Sequence, residues 1–246
     1  MKALIPAAGH GTRFLPVTRV VPKEMLPVGS KPAIQIIVEE ALAAGADEVV
    51  IVTSHEKEII KRYFDGDPDL AQRIRWAYQT EQRGLGHAVL QAAEALAGET
   101  DPVLVLLGDA LVSGEAPSAA MAEISRTHGN ASVVGLERVP RERISRYGIV
   151  AGTPEGERVL KLTDLVEKPK PEEAPSDLAI AGRYLLHPEI FALLASQTPG
   201  YGGEIQLTDS IRRLLSTHPV YGYRYPGRRH DIGNPKGYLE TLEAFA

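Results

Sequence analysis

The chain has 246 residues, 43% hydrophobic and 24% charged, with a formal net charge of −5 and no cysteine. That length gives room for one large α/β domain or two small ones, and the acidic balance argues against a general nucleic-acid binder. Without cysteine there are no disulfides, thiolate nucleophiles or thiolate zinc sites, and no apolar run approaches the ~18 residues a membrane span needs, so a cytoplasmic protein is expected.

The elements alternate. Ala3 to Pro6 reads as a short strand running into a glycine loop, and Pro32 to Ala44 as a helix that starts on proline and stops at Gly45. Glu48 to Thr53 (EVVIVT) is a β-branched run suited to a buried parallel strand. Lys57 to Phe64 is predicted helical, Arg73 to Tyr78 a strand, His87 to Leu96 an alanine-rich helix, and Pro102 to Leu107 the most apolar strand, closed by Gly108-Asp109. No element is predicted between 111 and 146. Beyond it, Tyr147 to Ala151 and Val159 to Val166 flank a Gly/Pro-rich turn and predict a hairpin. Leu178 to Leu186 is a strand, a helix opens at Pro188, Ile205 to Leu215 is helical, Val220 to Tyr225 a strand, and Pro235 to Ala246 a closing helix. The βαβ alternation through residue 109 predicts a Rossmann-like, doubly wound α/β sheet, to which the second half adds strands and a lid. No internal repeat interrupts the chain, so 1–246 is read as one domain of two lobes.

Three features fall at strand ends, where open α/β sheets bind ligands. The first is PAAGHGTRFLP, residues 6 to 16. It lacks the third glycine of a dinucleotide fingerprint and the Gly-Lys-Ser/Thr of a P-loop. Gly9 and Gly11 let backbone N–H groups face phosphate oxygens, with Arg13 adding a planar fork of donors, although a tight turn would use the same glycines. Residues 1 to 31 carry Lys2, Arg13, Arg19, Lys23 and Lys31 against Glu24 alone, a local net of +4 that suits a small anionic ligand or a solvated basic edge. The second feature is Thr80 to Gly86. The third is Asp109, placed to be a Mg²⁺ ligand or a cap.

Two later stretches carry charge at element ends. Glu167-Lys168-Pro169 closes a strand, and adjacent strand residues point to opposite faces, so both reach one ligand only if the backbone bends there. Asp231 of His230-Asp231 could bring a second carboxylate to a metal or cap the last helix. The seven histidines show no metal-ligand spacing, and no Gly-x-Ser-x-Gly elbow is present.

Together, Gly9-x-Gly11-Thr12-Arg13-x-Leu15-Pro16 and PKEMLP at 22 to 27 resemble the signature of the sugar-1-phosphate nucleotidyltransferases. GLGHAV at 84 to 89, VEKPK at 166 to 170, APSDLAIAGRYLL at 174 to 186, GEIQLTD at 203 to 209 and HDIGN at 230 to 234 look like the bacterial UTP–glucose-1-phosphate uridylyltransferases, a resemblance spanning nearly the whole chain. It implies a mixed, mostly parallel sheet with a smaller sugar-binding lobe, residues 1 to about 110 serving the nucleotide and 111 to 246 the sugar phosphate. It implies transfer of UMP from UTP to glucose 1-phosphate with Mg²⁺ as cofactor. By the same resemblance, Ala8, Gly9, Gln79 and Gly84 contact uracil, Gly11, Thr12 and Arg13 serve the triphosphate, and Lys23 the reacting phosphates. Gly148, Glu167 and Gly182 receive glucose, Lys168 holds the sugar phosphate, and Asp109 and Asp231 hold Mg²⁺. An insertion near Asp67 to Ile74 and a longer C-terminal tail, common in the family, are missing, which leaves a homodimer or homotetramer open. A thymidylyltransferase of the same fold and a non-catalytic nucleotide-sugar-binding regulator remain as alternatives.

Overall fold

In chain order the structure, a computed structural model describing every residue from Met1 to Ala246, begins with β1 (Lys2–Pro6) and a two-residue ribbon, β2 (Pro27–Val28) and β3 (Lys31–Pro32). There follow α1 (Ala33–Ala43), β4 (Glu48–Thr53), α2 (Glu58–Asp65), α3 (Pro68–Ala71), β5 (Ile74–Tyr78), α4 (Leu85–Leu90), β6 (Val103–Leu106) and β7 (Ala110–Ser113). The second half holds α5 (Ser118–Thr127), β8 (Ser132–Arg138), β9 (Gly148–Pro154), β10 (Val159–Glu167), β11 (Leu178–Leu186), α6 (Glu189–Ala195), α7 (Leu207–Leu214), β12 (Val220–Arg224), β13 (Arg228–Asp231) and α8 (Pro235–Ala244).

Nine strands form one sheet in the order β5-β4-β1-β6-β11-β8-β12-β10-β9, with β13 pairing β7 in a separate ribbon. The neighbouring pairs β5–β4, β4–β1, β1–β6 and β8–β12 are parallel, and β11 and β10 run against their neighbours. Strands with apolar residues on both faces need cover on both, and the two hydrophobic clusters sort by strand alternation. Ala3, Ile5, Val49, Ile51, Leu104 and Leu106 pack one face with Ile34, Ile37 and Val38 of α1, Phe64 of α2 and Met121 of α5. Leu4, Val50, Val52, Val103 and Val105 pack the other with Val89 of α4, Ile190 and Leu194 of α6, and Ile211 and Leu214 of α7. A fully buried aromatic such as Phe64 is worth roughly 3–5 kcal/mol against alanine.

Several sequence expectations need correction. The helix expected over His87 to Leu96 is α only at Leu85–Leu90 and continues as turns. The one expected from Ile205 starts at Leu207, because the Ile205 backbone is engaged elsewhere: its N–H donates to Arg83 O at 2.8 Å and its O accepts from Gly86 N–H at 2.8 Å. The region 111–146, where no element is predicted from the sequence, contains β7, α5 and β8. No helix is long and apolar enough to cross a membrane.

After β1 the chain steps outward to β4 and β5, then returns to place β6 on the other side of β1. The β1 and β6 ends are therefore neighbours at the switch point, where such sheets open a crevice. The glycine loop leaves one end and Gly108-Asp109 the other, and Gly108 N–H donates to Pro6 O at 3.2 Å.

Candidate active site

Two cavities of about 320 and 300 Å³ open side by side at this switch point. Pro6, Ala8, Gly9, Lys23, Glu24, Gln79, Gln82, Gly84 and Ala88 line the first. Arg13, Ala110, Arg146, Tyr147, Gly148, Glu167, Lys168, Ile180, Gly182, Tyr184, Gln206, Leu207, Thr208, Arg229 and Asp231 line the second. Leu85, Leu107, Asp109 and Glu204 border both. Asp109 is thus the one aspartate on the shared wall.

The loop's conformation follows from its glycines and from a buried lysine. Gly11 sits at φ 65°, in the left-handed region, and starts the turn Thr12–Phe14. Gly11 and Thr12 carry that turn and wall neither cavity, whereas Ala8, Gly9 and Arg13 do. Behind the loop, Lys57 Nζ donates to Ala7 O at 2.7 Å, Gly9 O at 2.6 Å and both oxygens of Glu24 at 3.0 and 2.9 Å. With those carbonyls fixed rearward, the other side of the loop stays free for a ligand. Burial pushes the Glu24 carboxyl above the ordinary carboxylate value, against the pull of Lys57.

Lys23 Nζ meets Asp109 Oδ2 at 2.5 Å. Burial disfavours both charges. Even so, Asp109, Glu24 and Asp231 together hold Lys23 above the usual lysine value, and Lys23 with Arg229 holds Asp109 below the usual carboxylate value. Asp109 caps no helix. Asp231 does not either, since α8 is capped by Asn234 Oδ1, which accepts from Gly237 N–H at 2.9 Å. Asp231 Oδ1 instead accepts from Gly233 N–H at 2.7 Å. A Cβ at Gly233 would lie 2.8 Å from Asp231 Oδ1, 3.2 Å from Asp109 Oδ2 and 3.8 Å from Arg13 Nη1, so both carboxylates and the guanidinium border one small space. Alternation along β13 turns His230 the other way, to Ser113 Oγ at 2.8 Å.

The backbone bends where Glu167-Lys168 required it. β10 ends at Glu167, and Lys168 adopts φ 46°, a left-handed conformation uncommon for a residue with a side chain. Both side chains consequently reach one cavity, Lys168 Nζ lying 3.3 Å from Glu167 Oε1 and 5.2 Å from the Tyr201 ring centroid. Gly148 keeps that cavity open, since a Cβ there would lie 2.7 Å from Thr208 Oγ1 and 3.2 Å from Glu167 Oε2. Gly182 lies where β11 shifts register between Ile180 and Tyr184.

Sequence reasoning missed Arg229, Tyr184, Glu204, Thr208 and Lys57. The signal was there for three: Glu204 and Thr208 belong to GEIQLTD and Tyr184 to APSDLAIAGRYLL, motifs in which these residues were given no role. Arg229 Nε donates to Glu137 Oε1 at 2.6 Å and its Nη2 to Tyr147 OH at 2.9 Å, partners distant in sequence.

The profile of the nucleotidyl transferase family matches residues 2–246. The chain belongs to that family. A relative in Staphylococcus haemolyticus, UTP–glucose-1-phosphate uridylyltransferase, is 42% identical over 266 aligned residues covering 100% of this chain and 92% of that protein. A second, UTP–glucose-1-phosphate uridylyltransferase 1 of Streptococcus pyogenes serotype M1, is 44% identical and covers 100% of this chain and 88% of its own. Among solved structures, a UDP-glucose pyrophosphorylase complexed with UDP-glucose superimposes with a TM-score of 0.91 at 39% identity, over 99% of this chain and 97% of that one.

Proposed function

We propose that this nucleotidyltransferase transfers UMP from UTP to glucose 1-phosphate, releasing pyrophosphate. One observation carries the reading: two adjoining cavities share Asp109 as a wall, as a reaction joining two separately bound phosphates requires. The nucleotide occupies the cavity of Gly9, Gln79 and Gly84, and the sugar phosphate that of Gly148, Glu167 and Lys168. Residues 1–110 then serve mainly the nucleotide and 111–246 the sugar, with Glu204 crossing that division in one direction and Arg13, on the wall of the sugar-phosphate cavity, in the other.

A phosphate oxygen of glucose 1-phosphate attacks the α-phosphorus of UTP. The new P–O bond forms as the bond to the β-phosphate oxygen breaks, and pyrophosphate leaves in line. The nucleophile is already an anion, so no general base is needed; the task is to join two polyanions and stabilise the charge between them. Lys168 holds the sugar phosphate, Lys23 faces the reacting phosphates, and Arg13 offers its fork to the triphosphate. Positioning supplies much of the remaining barrier reduction. The Asp109–Asp231 pair fits a divalent cation: two carboxylates facing one space, with substrate phosphates to complete the shell, is the donor set Mg²⁺ favours. When bound there, the cation would neutralise phosphate charge and help align the two substrates.

The test is pyrophosphate release with glucose 1-phosphate and UTP, dTTP or CTP, with and without Mg²⁺. UTP is preferred. CTP is rejected by up to roughly 10⁴-fold, because its base exchanges hydrogen-bonding groups that the site pairs. The methyl group of dTTP costs only ~1–3 kcal/mol, so some use of it is expected. Faster turnover of dTTP than UTP would make the chain a thymidylyltransferase, and no pyrophosphate with any nucleotide would overturn the reading.

A further inference from the structure

His87 lies outside both cavities, on α4, and touches the base-reading Gln79. The Gln79 amide nitrogen lies 2.9 Å from His87 Nδ1, and the Gln91 amide nitrogen 3.2 Å from His87 Nε2. With nitrogen presented at both ends the ring would have to accept twice, and a neutral imidazole has only one lone-pair nitrogen. One amide must therefore be turned. Gln91 is fixed, because its amide nitrogen, Gln91 Nε2, also donates to the His87 backbone carbonyl at 3.2 Å, and a carbonyl only accepts. Its other hydrogen goes to His87 Nε2, so the ring proton resides on Nδ1. The Gln79 atom facing Nδ1–H is then the carbonyl Oε1, and the Gln79 NH₂ is left for the cavity.

From this chain of donors we infer that His87 is a specificity-positioning residue: it holds Gln79 so that its NH₂ donates to the pyrimidine 4-carbonyl. Uracil and thymine carry an acceptor at that position, and cytosine carries an amino group that would oppose the NH₂. The inference rests on the base-reading role proposed for Gln79 but not on the sugar or the metal. Gln79 is itself buried, 3% exposed, and its backbone N–H is tied to Thr53 O at 2.8 Å, so the amide torsion is the freedom that His87 removes.

The experiment compares the ratio of kcat/KM for UTP and CTP in the wild type, His87→Leu and His87→Asn. Leucine removes the donor, while the asparagine NH₂ stands close to where Nδ1–H stood. His87→Leu should lower the UTP:CTP ratio about tenfold, the scale of one neutral hydrogen bond, mainly through KM for UTP with kcat little changed. His87→Asn should keep the wild-type ratio. Should His87→Leu not fold, His87→Gln replaces it, since its amide reaches toward the Nε2 position and leaves the Nδ1 position empty. An unchanged ratio in the donor-lacking variant measured, or an equal fall in His87→Asn, overturns the inference. Calorimetric binding of UTP and CTP without sugar separates the two levels: a wild type binding neither nucleotide sinks the functional reading, whereas intact UTP preference in every variant sinks only the role of His87.

Discussion

Replacing Lys57 by methionine tests whether the glycine loop is held from behind by a buried charge. The lysine side chain is 9% exposed and its Glu24 partner 1%. Methionine keeps most of the volume but strands a buried carboxylate and two carbonyls, Ala7 O and Gly9 O. Removing one member of a buried pair costs about 3–5 kcal/mol. At roughly 2–4 °C per kcal/mol for a chain of this size, the melting temperature should fall by roughly 6–20 °C. The pH dependence has a defined sign. Glu24 has a folded pKa raised by burial, so its ionisation disfavours the folded state, and without Lys57 that penalty grows. Lowering the pH through the raised value protonates Glu24 and narrows the gap between variant and wild type. Differential scanning calorimetry at neutral and mildly acidic pH reads both effects. A Lys57→Met/Glu24→Leu double variant should regain much of the lost stability, because neither charge is left unpaired. The kcat of both variants should lie below that of the wild type, with the loop carbonyls unheld in each. A loss below ~1 kcal/mol, or a double variant as unstable as the single, would refute the reasoning.

Asp109→Asn should fold normally and lose at least a hundredfold in kcat, since the proposed cation site loses one of its two carboxylates and the electrostatic hold a cation there would give the reacting phosphates is worth ~3–4 kcal/mol; near-normal turnover at saturating Mg²⁺ would exclude it from the reaction. Lys168→Ala should raise KM for glucose 1-phosphate while leaving calorimetric UTP binding intact, and an equal loss on both sides would make it a general structural residue. Gly148→Ala puts a methyl group 2.7 Å from Thr208 Oγ1 and 3.2 Å from Glu167 Oε2, so the sugar KM should rise at least tenfold with UTP affinity unchanged.

The parallel half of the sheet was legible because its strands are apolar on both faces and its helices end on glycine or proline. EVVIVT became a strand with the bounds predicted for it, as did LAIAGRYLL, which is antiparallel to its neighbours but equally apolar on both faces. β13 was not legible: Arg228-Arg229-His230-Asp231 has no strand pattern, and its charges are tolerated only because Glu137, Tyr147 and Ser113 arrive from elsewhere. Lys57 was legible only as the first residue of a predicted helix, for its four acceptors lie between 33 and 50 positions away in sequence. The conformation of Lys168 illustrates the same limit. Sequence said that a bend was required for Glu167 and Lys168 to act together, but the bend depends on contacts such as Lys168 N–H to Tyr147 O at 3.0 Å.

The backbone clasp between Arg83, Gly86 and Ile205 ties the stretch beside Gln79 to the stretch beside Thr208. Gly84, at φ 99°, is pressed against it so closely that a Cβ would lie 2.8 Å from both Glu204 Cβ and Ile205 O. The two adjoining cavities are therefore joined along a common seam. A library that diversifies residues 203–208 to broaden the sugar range would also disturb the cavity of Gly9, Gln79 and Gly84 proposed for the nucleotide. Changes at Arg229, whose partners Glu137 and Tyr147 lie off that seam, offer a cleaner route to new sugars with the choice of nucleotide preserved.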